Sequence, residues 1–143
     1  MRSRIALMIA AAGLLLSALP VWAHHAFFAE FDDQKPIKLQ GTVTKWEVVN
    51  PHSWIHMSVK GPDGKVVEWM IEGGSPNALF RLGFTKDSLP AGTEIVVQGY
   101  QAKDGANRGV GASLTFADGR KLFLGGSAPG ADGTGEEKQY RRR

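Results

Sequence analysis

The chain has 143 residues, of which 17 are Lys or Arg, 14 are Asp or Glu, and none is Cys. This length is enough for one domain with its own core. The absence of cysteine excludes disulfides, thiolate-ligated zinc and a lipid anchor on cysteine. Without the predicted export signal of residues 1–23, the formal charge falls from +3 to +1; such a near-neutral chain has no electrostatic footprint for nucleic acid, so we expect no nucleic-acid partner.

Residues 1–23 are predicted to be a cleaved export signal. Arg2 and Arg4 form a basic start, an apolar run follows, and the small side chains of Val21 and Ala23 stand where signal peptidase reads them. The run is about fifteen residues, shorter than the roughly 20 that a spanning helix needs, so an uncleaved anchor is the weaker alternative. Cleavage after Ala23 removes two arginines and lowers the charge from +3 to +1. The pattern predicts a periplasmic protein without a transmembrane segment after cleavage.

An N-terminal arm and a long first strand are predicted next. Residues 24–36 carry three phenylalanines among acidic residues and are expected to form an irregular arm. Residues 37–49 alternate between apolar and polar positions but change phase, and a bulge near Thr44 or Lys45 would explain the change. The proline of the following Asn-Pro pair cannot donate to a strand ladder and ends the strand.

The second and third strands are predicted at about 53–60 and at 66–72. Between them, Gly-Pro-Asp-Gly at 61–64 is typical of a turn. Apolar residues at alternate positions define an inward face in each strand. The inward residues are Ile55, Met57, Val59, Val67, Trp69 and Ile71.

The outer face of these two strands holds most of the candidate binding residues. If the inward faces pair, His56 lies near Met70, and Trp54 lies near Glu72. We expect Glu72 to be solvated, as a carboxylate on a strand usually is. Trp54, Met70 and Glu72 are therefore the candidate ligand or partner face.

A short helix and further strands complete the predicted domain. Ser75 as cap, proline at the next position and glycine after Leu82 indicate a helix. Later strands are expected at 93–101, 111–117 and 120–124. Residues 126–143 are rich in Gly, Ser and charge and are predicted to be a disordered tail.

The order of these elements predicts the fold class. Three strands, a helix after the third strand, and two or three more strands match a small OB-like antiparallel barrel of five to six strands, occupying residues 37–125. Another small antiparallel barrel or a sandwich is the main alternative. Fold alone does not give function.

Several short motifs carry a resemblance to a known family. They are His24-His25-Ala26-Phe27, Gly41-Thr42-Val43, Asn50-Pro51-His52-Ser53-Trp54, Gly74-Ser75-Pro76-Asn77 and Lys103-Asp104-Gly105. In this order they resemble an uncharacterised family of small exported bacterial proteins, known only as a domain of unknown function. The resemblance spans about residues 24 to 124 and implies a periplasmic single-domain protein, but no catalytic residue.

The four histidines suggest a copper site. His24 and His25 stand at the predicted mature terminus, and His52 and His56 flank the start of the second strand. If the chain begins at His24, its α-amine and imidazole Nδ1 can chelate one ion, and another histidine would supply a third nitrogen. Nitrogen ligands in tetragonal geometry favour copper(II). Met70 is a candidate weak axial ligand, although a strand methionine more often packs.

The spacing of the strand histidines limits this site. Residues four apart on a straight strand are separated by about 13 Å, too far to share one ion. Unless Pro51 bends the start of the strand, we therefore expect at most one of His52 and His56 to join His24. His52 is slightly preferred, because it is predicted to lie near a loop mouth.

Two other interpretations stay open. The histidines could be surface or capping residues without metal, and the protein would then be an OB-like interaction module that binds a protein or a small envelope ligand. An enzyme is poorly supported, because no nucleophile is paired with a base. The sequence therefore predicts a periplasmic binding or accessory protein that is not an enzyme.

Overall fold

The structure, a computed structural model, describes residues 27–133. The predicted signal peptide, His24 and His25 lie outside this part of the chain. Residues 27–30 are helical. The elements that follow are β1 (Phe31–Glu47), β2 (Trp54–Lys60), β3 (Val66–Glu72), α1 (Pro76–Arg81), β4 (Glu94–Ala102), β5 (Arg108–Phe116) and β6 (Lys121–Phe123).

The strands pair in a closed ring. β1 pairs with β2 and with β4, β2 with β3, and β4 with β5, all antiparallel. A parallel pairing between β3 and β5 closes the ring, and β6 extends β5. This arrangement, with α1 after the third strand, confirms the mainly β fold class and its OB-like strand order.

The first strand confirms the predicted bulge and begins earlier than predicted. The register of β1 against β2 shifts between Val43 and Lys45. β1 starts at Phe31 because Phe31 already pairs with Ala102 of β4. The predicted arm is therefore wrong for residues 31–36, which belong to the strand.

The predicted pairing of β2 with β3 is confirmed. His56 lies opposite Met70, and Trp54 lies opposite Glu72. Ile55 and Met57 are fully buried, whereas Trp54 and His56 are half-buried on the other face. The alternation seen in the sequence thus separates a core face from an outer face.

The main core fills the ring of strands. Buried side chains from all five ring strands meet Leu79 of α1, Phe84 and Leu89. Ser75 caps α1 by accepting a hydrogen bond from the Ala78 amide. At Gly41, a Cβ atom would lie 2.2 Å from the backbone oxygen of Ser58, so only glycine permits this approach of β1 to β2.

A second apolar cluster ties the beginning of the described chain to its end. Phe27 and Phe31 pack in it with Val110 and with Ala128 and Ala131, which are 5% and 2% exposed. The Gly125 amide also donates to the Ala131 carbonyl. The predicted disorder is therefore wrong for residues 126–133, because alanine is small enough to be buried against the phenylalanines; residues 134–143 lie outside the described part.

Candidate functional site

His52 and Glu72 form the closest histidine–carboxylate pair in the described part of the chain. The Nδ1 atom of His52 lies 2.8 Å from the Oε1 atom of Glu72. His52 follows the cis Asn50–Pro51 peptide in the loop between β1 and β2, and its side chain is 48% exposed. Because Nδ1 faces the carboxylate, Nε2 on the opposite side of the ring is the nitrogen available to a ligand.

Glu72 is buried, which corrects the expectation that it is solvated. It is 5% exposed because β3 is covered at this point on both sides, by Trp54 of β2 and by Val110 of β5. Burial raises the pKa of Glu72 above its ordinary value. The electrostatic interactions with His52 and Arg108 oppose this rise in the pKa, and the interaction with Glu30 adds to it. Glu72 is thus a fixed partner for His52 and is not part of an exposed ligand face.

His56 faces a different strand. Its Nε2 atom lies 3.5 Å from the Oε2 atom of Glu47 on β1. This is an ion-pair distance without hydrogen-bond geometry, and Nε2 is buried without a hydrogen-bond partner. Glu47 itself is held mainly by a hydrogen bond from Lys45, which lowers its pKa. The buried Nε2 atom of His56 is therefore poorly placed to bind a metal ion from solvent.

The side chains of His52 and His56 contact different neighbouring strands of β2. His52 contacts the end of β3, and His56 contacts the end of β1. Since β2 lies between these strands, the two side chains contact opposite neighbours, and the expectation that at most one of them joins His24 stays a prediction. Within residues 27–133, no three His, Asp or Glu side chains are grouped so that they could hold a metal.

The N-terminal segment lies on the β3–β5 side, where His52 is. The Arg108 Nη1 atom is 3.3 Å from the Oε2 atom of Glu30, and the Lys103 amide donates to the Glu30 carbonyl at 3.0 Å. Arg108 begins β5 and pairs with Met70 of β3. Glu30 also acts electrostatically on Glu72, so the segment that follows His24 and His25 is held near the carboxylate that binds His52.

Phe27 anchors this segment three residues after His24. It is 1% exposed and packs in the cluster that contains Val110, the register partner of Glu72. Three residues span at most about 10 Å. This length of chain is the most that can separate the Cα atoms of His24 and Phe27.

The remaining candidate residues lie on the outer face of β2 and β3. Met70 is 39% exposed beside His56, and Trp54 is half-buried beside Glu72. Glu68 of β3 accepts hydrogen bonds from Ser58 of β2 and from Thr44 of β1. Met70 lies opposite His56 and not His52, so it does not belong to the His52–Glu72 pair.

Sequence reasoning missed Glu30 and Arg108. Glu30 belongs to the predicted arm, and Arg108 lies between the predicted strands at 93–101 and 111–117, 78 positions away. No local pattern connects residues at that separation. The parallel pairing of β3 with β5 is what brings Arg108 to the carboxylates.

The fold and this site define a small, mainly β, OB-like protein with an exposed histidine backed by a buried carboxylate. No helix among residues 27–133 has both the length and the apolar character needed to cross a bilayer. The model of a family of unknown function, DUF6152, matches residues 11–112, and the chain belongs to this family. No curated protein matches the sequence.

Proposed function

We propose that this chain is an exported periplasmic binding or accessory protein that holds copper(II) through the amine and imidazole of His24 and through His52. His25 is the neighbouring alternative at the mature terminus. The observation that carries the proposal is the 2.8 Å contact between His52 and the buried Glu72. Histidines that bind metals are usually oriented by such a carboxylate on their other nitrogen.

The position of the N-terminal segment supports the same proposal. Phe27 and Glu30 are held beside β5. β5 pairs with β3, the strand whose end His52 contacts. Cleavage after Ala23 would leave the mature terminus three residues from Phe27. His56 is less suitable as the third ligand, since its Nε2 atom is buried near Glu47.

The test is titration of copper(II) into protein purified after export and cleavage. A variant with three alanines before His24 removes the amine–imidazole chelate, keeps every side chain and moves both histidines beyond the third position of the chain, and it should lose the most affinity. His52→Ala should also weaken binding clearly. His56→Ala is the matched control and should leave affinity within about twofold, since its nitrogen lies outside the site.

Two results would contradict the proposal. One is equal copper affinity in the native and extended proteins. The other is a loss in His56→Ala as large as that in His52→Ala.

A second candidate function is favoured by the outer face of β2 and β3. Met70 is exposed beside the half-buried Trp54, and contact with a protein or a small envelope ligand would cover both side chains. This interaction-module function requires no metal. It predicts that Met70→Ser abolishes partner binding while copper has no effect on it.

A further inference from the structure

A groove lies on the outer face of β1, β4, β5 and β6, and it shares no residue with the His52–Glu72 pair. Its volume is about 630 Å³, within the range of roughly 300–1,000 Å³ that is typical of small-molecule sites. We infer that this groove binds a short acidic saccharide, with Lys38 bound to its carboxylate and Gln98 to its hydroxyl oxygens. The inference does not depend on the proposed copper site.

Strand pairing places four side chains in one row across the groove. Lys38 of β1 pairs with Gln98 of β4, which pairs with Ser113 of β5. Ser113 pairs in turn with Phe123 of β6. Neighbouring strands are about 4.8 Å apart, so the row extends over roughly 14 Å. It is therefore long enough to contact more than one ring of a saccharide.

The row faces outward because the adjacent residues face the core. Val97 and Leu114, next to Gln98 and Ser113 in their strands, are fully buried in the main core, and successive side chains of a strand point to opposite faces. Lys38 and Gln98 are exposed, whereas Ser113 is 4% exposed. Ser113 thus lies at the floor of the groove, and the two longer side chains stand above it.

Hydrogen-bond donors dominate this row. The Oγ atom of Ser113 donates to the Oε1 atom of Gln98 at 3.5 Å. The carbonyl oxygen of Gln98 is therefore directed toward Ser113, and its amide Nε2 atom is the one that can donate to a ligand. Lys38 adds an ammonium group, which donates and never accepts. Such donors favour a ligand that is rich in acceptor oxygens.

Positive charge favours an anion among such ligands. The charged side chains among the described residues that line the groove are Lys38 and Lys121. The Nζ atom of Lys121 lies 5.4 Å from the centre of the Phe123 ring, so it is held by this ring. Lys38 is exposed in the groove, and an ammonium group there attracts a carboxylate and repels a cation.

Ring surfaces favour a saccharide over a simple anion. The groove is also lined by two aromatic residues and by the chain that follows β6, namely Tyr100, Phe123, Pro129 and Gly130. The Tyr100 ring is fixed by an edge contact with Phe27, at 5.4 Å between ring centres. Flat apolar rings can pack against the C–H groups of a sugar ring while its hydroxyl groups reach the donors of the row.

The first experiment is calorimetric titration of the whole exported chain with trigalacturonate, a trisaccharide with one carboxylate on each ring. Its methyl ester is the matched ligand, because it keeps the rings and hydroxyl groups and removes the charges. Trigalacturonate should bind, and the ester should bind about tenfold more weakly, because charged hydrogen bonds are the stronger ones. Absence of binding, or equal affinity for the two ligands, would overturn the inference.

Substitutions then test the location of the site. Lys38→Gln and Gln98→Leu should each weaken binding by about tenfold, because each removes a hydrogen bond to the ligand. Both side chains are exposed, so the fold should tolerate both changes. Lys86→Gln is the matched control: it removes an exposed charge from the loop between α1 and β4, outside the groove, and should leave affinity within about twofold. If Lys38→Gln and Lys86→Gln bind alike, the groove is not the site.

The three arginines at 141–143 require a separate control, because they attract anions by charge alone. Protein that ends at residue 133 lacks them and keeps Pro129 and Gly130, and it should bind trigalacturonate within about twofold of the whole chain. A large loss would assign the ligand to the basic terminus and overturn the inference.

Competition with inorganic phosphate tests the saccharide itself. Phosphate carries negative charge and acceptor oxygens but has no ring to pack against Tyr100 and Phe123. It should therefore compete weakly with trigalacturonate. Phosphate that competes as well as the trisaccharide would show an anion site without saccharide recognition, and the inference would fail.

Discussion

The Nδ1 atom of His52 lies 2.8 Å from the Oε1 atom of Glu72, joining a half-exposed imidazole to a buried carboxylate. The two residues come from different elements, a loop before β2 and the last position of β3. The antiparallel register that sets Trp54 opposite Glu72 brings the preceding loop to this carboxylate. The pair therefore depends on strand pairing and not on sequence proximity.

Glu72 should make the stability of the metal-free protein fall as pH rises. Its folded pKa is raised above 4.5, chiefly by burial. The folded state therefore keeps the proton after the unfolded state has released it, and the free energy of unfolding decreases between the unfolded pKa and the raised folded pKa. Glu72→Gln lacks this titrating group. The free energy of unfolding of the variant minus that of the wild type should therefore be larger at pH 8 than at pH 4. Thermal melts of both proteins at pH 4 and at pH 8 measure this difference. If the difference is the same at the two pH values, the pKa of Glu72 is not raised in the folded state.

Export should produce a chain that begins at His24. Val21 and Ala23 present small side chains at the positions that signal peptidase reads. Intact-mass measurement of the protein recovered from the periplasm checks the first residue. Retention of Met1 would remove both the periplasmic proposal and the copper chelate at the terminus.

Copper binding should weaken as pH falls. Binding through His24 displaces the proton of an α-amine whose usual pKa is about 7.7 to 8.0. Affinity should therefore decrease below that range, and acidification should release the metal. The extended variant has its amine three residues before His24 and should lack this part of the pH dependence. A profile identical to that of the native protein would show that the amine is not a ligand.

Two neighbouring glycines should differ sharply in their tolerance of alanine. A Cβ atom at Gly74 would lie 2.3 Å from the backbone oxygen of Gly125, so Gly74→Ala must displace backbone. At Gly73 the nearest atom would be 3.4 Å away, which is an ordinary contact. We expect Gly74→Ala to cost on the order of 3 kcal/mol and Gly73→Ala less than about 1 kcal/mol in urea unfolding. Similar losses in both would mean that the two chain segments do not cross as closely as described.

Removal of residues 127–143 should destabilise the domain. It uncovers the second apolar cluster, in which Ala128 and Ala131 pack with Phe27. A loss of about 2 kcal/mol would lower the melting temperature by more than about 5 °C in a domain of this size. Removal of residues 134–143 is the control, because it leaves these contacts in place. If both deletions melt alike, the cluster does not depend on the alanines.

The sequence by itself determined the local elements. The apolar alternation of Ile55, Met57 and Val59 predicted β2, the phase change near Thr44 predicted the bulge in β1, and Ser75 predicted the start of the helix. These features depend on neighbouring residues, because side chains alternate along a strand and caps act within one turn. The pairing of Trp54 with Glu72 was also accessible, since a tight turn joins β2 to β3 and sets their register.

The tertiary structure alone decided what surrounds each candidate residue. The parallel pairing of β3 with β5 buries Glu72 and brings Arg108 and Glu30 to it, although 78 positions separate that arginine from Glu30. Burial of Ala128 and Ala131 likewise depends on the distant Phe27 and Phe31. Such contacts arise from the closure of the ring, and a residue's burial and charge partners follow from that closure and not from its neighbours in the chain.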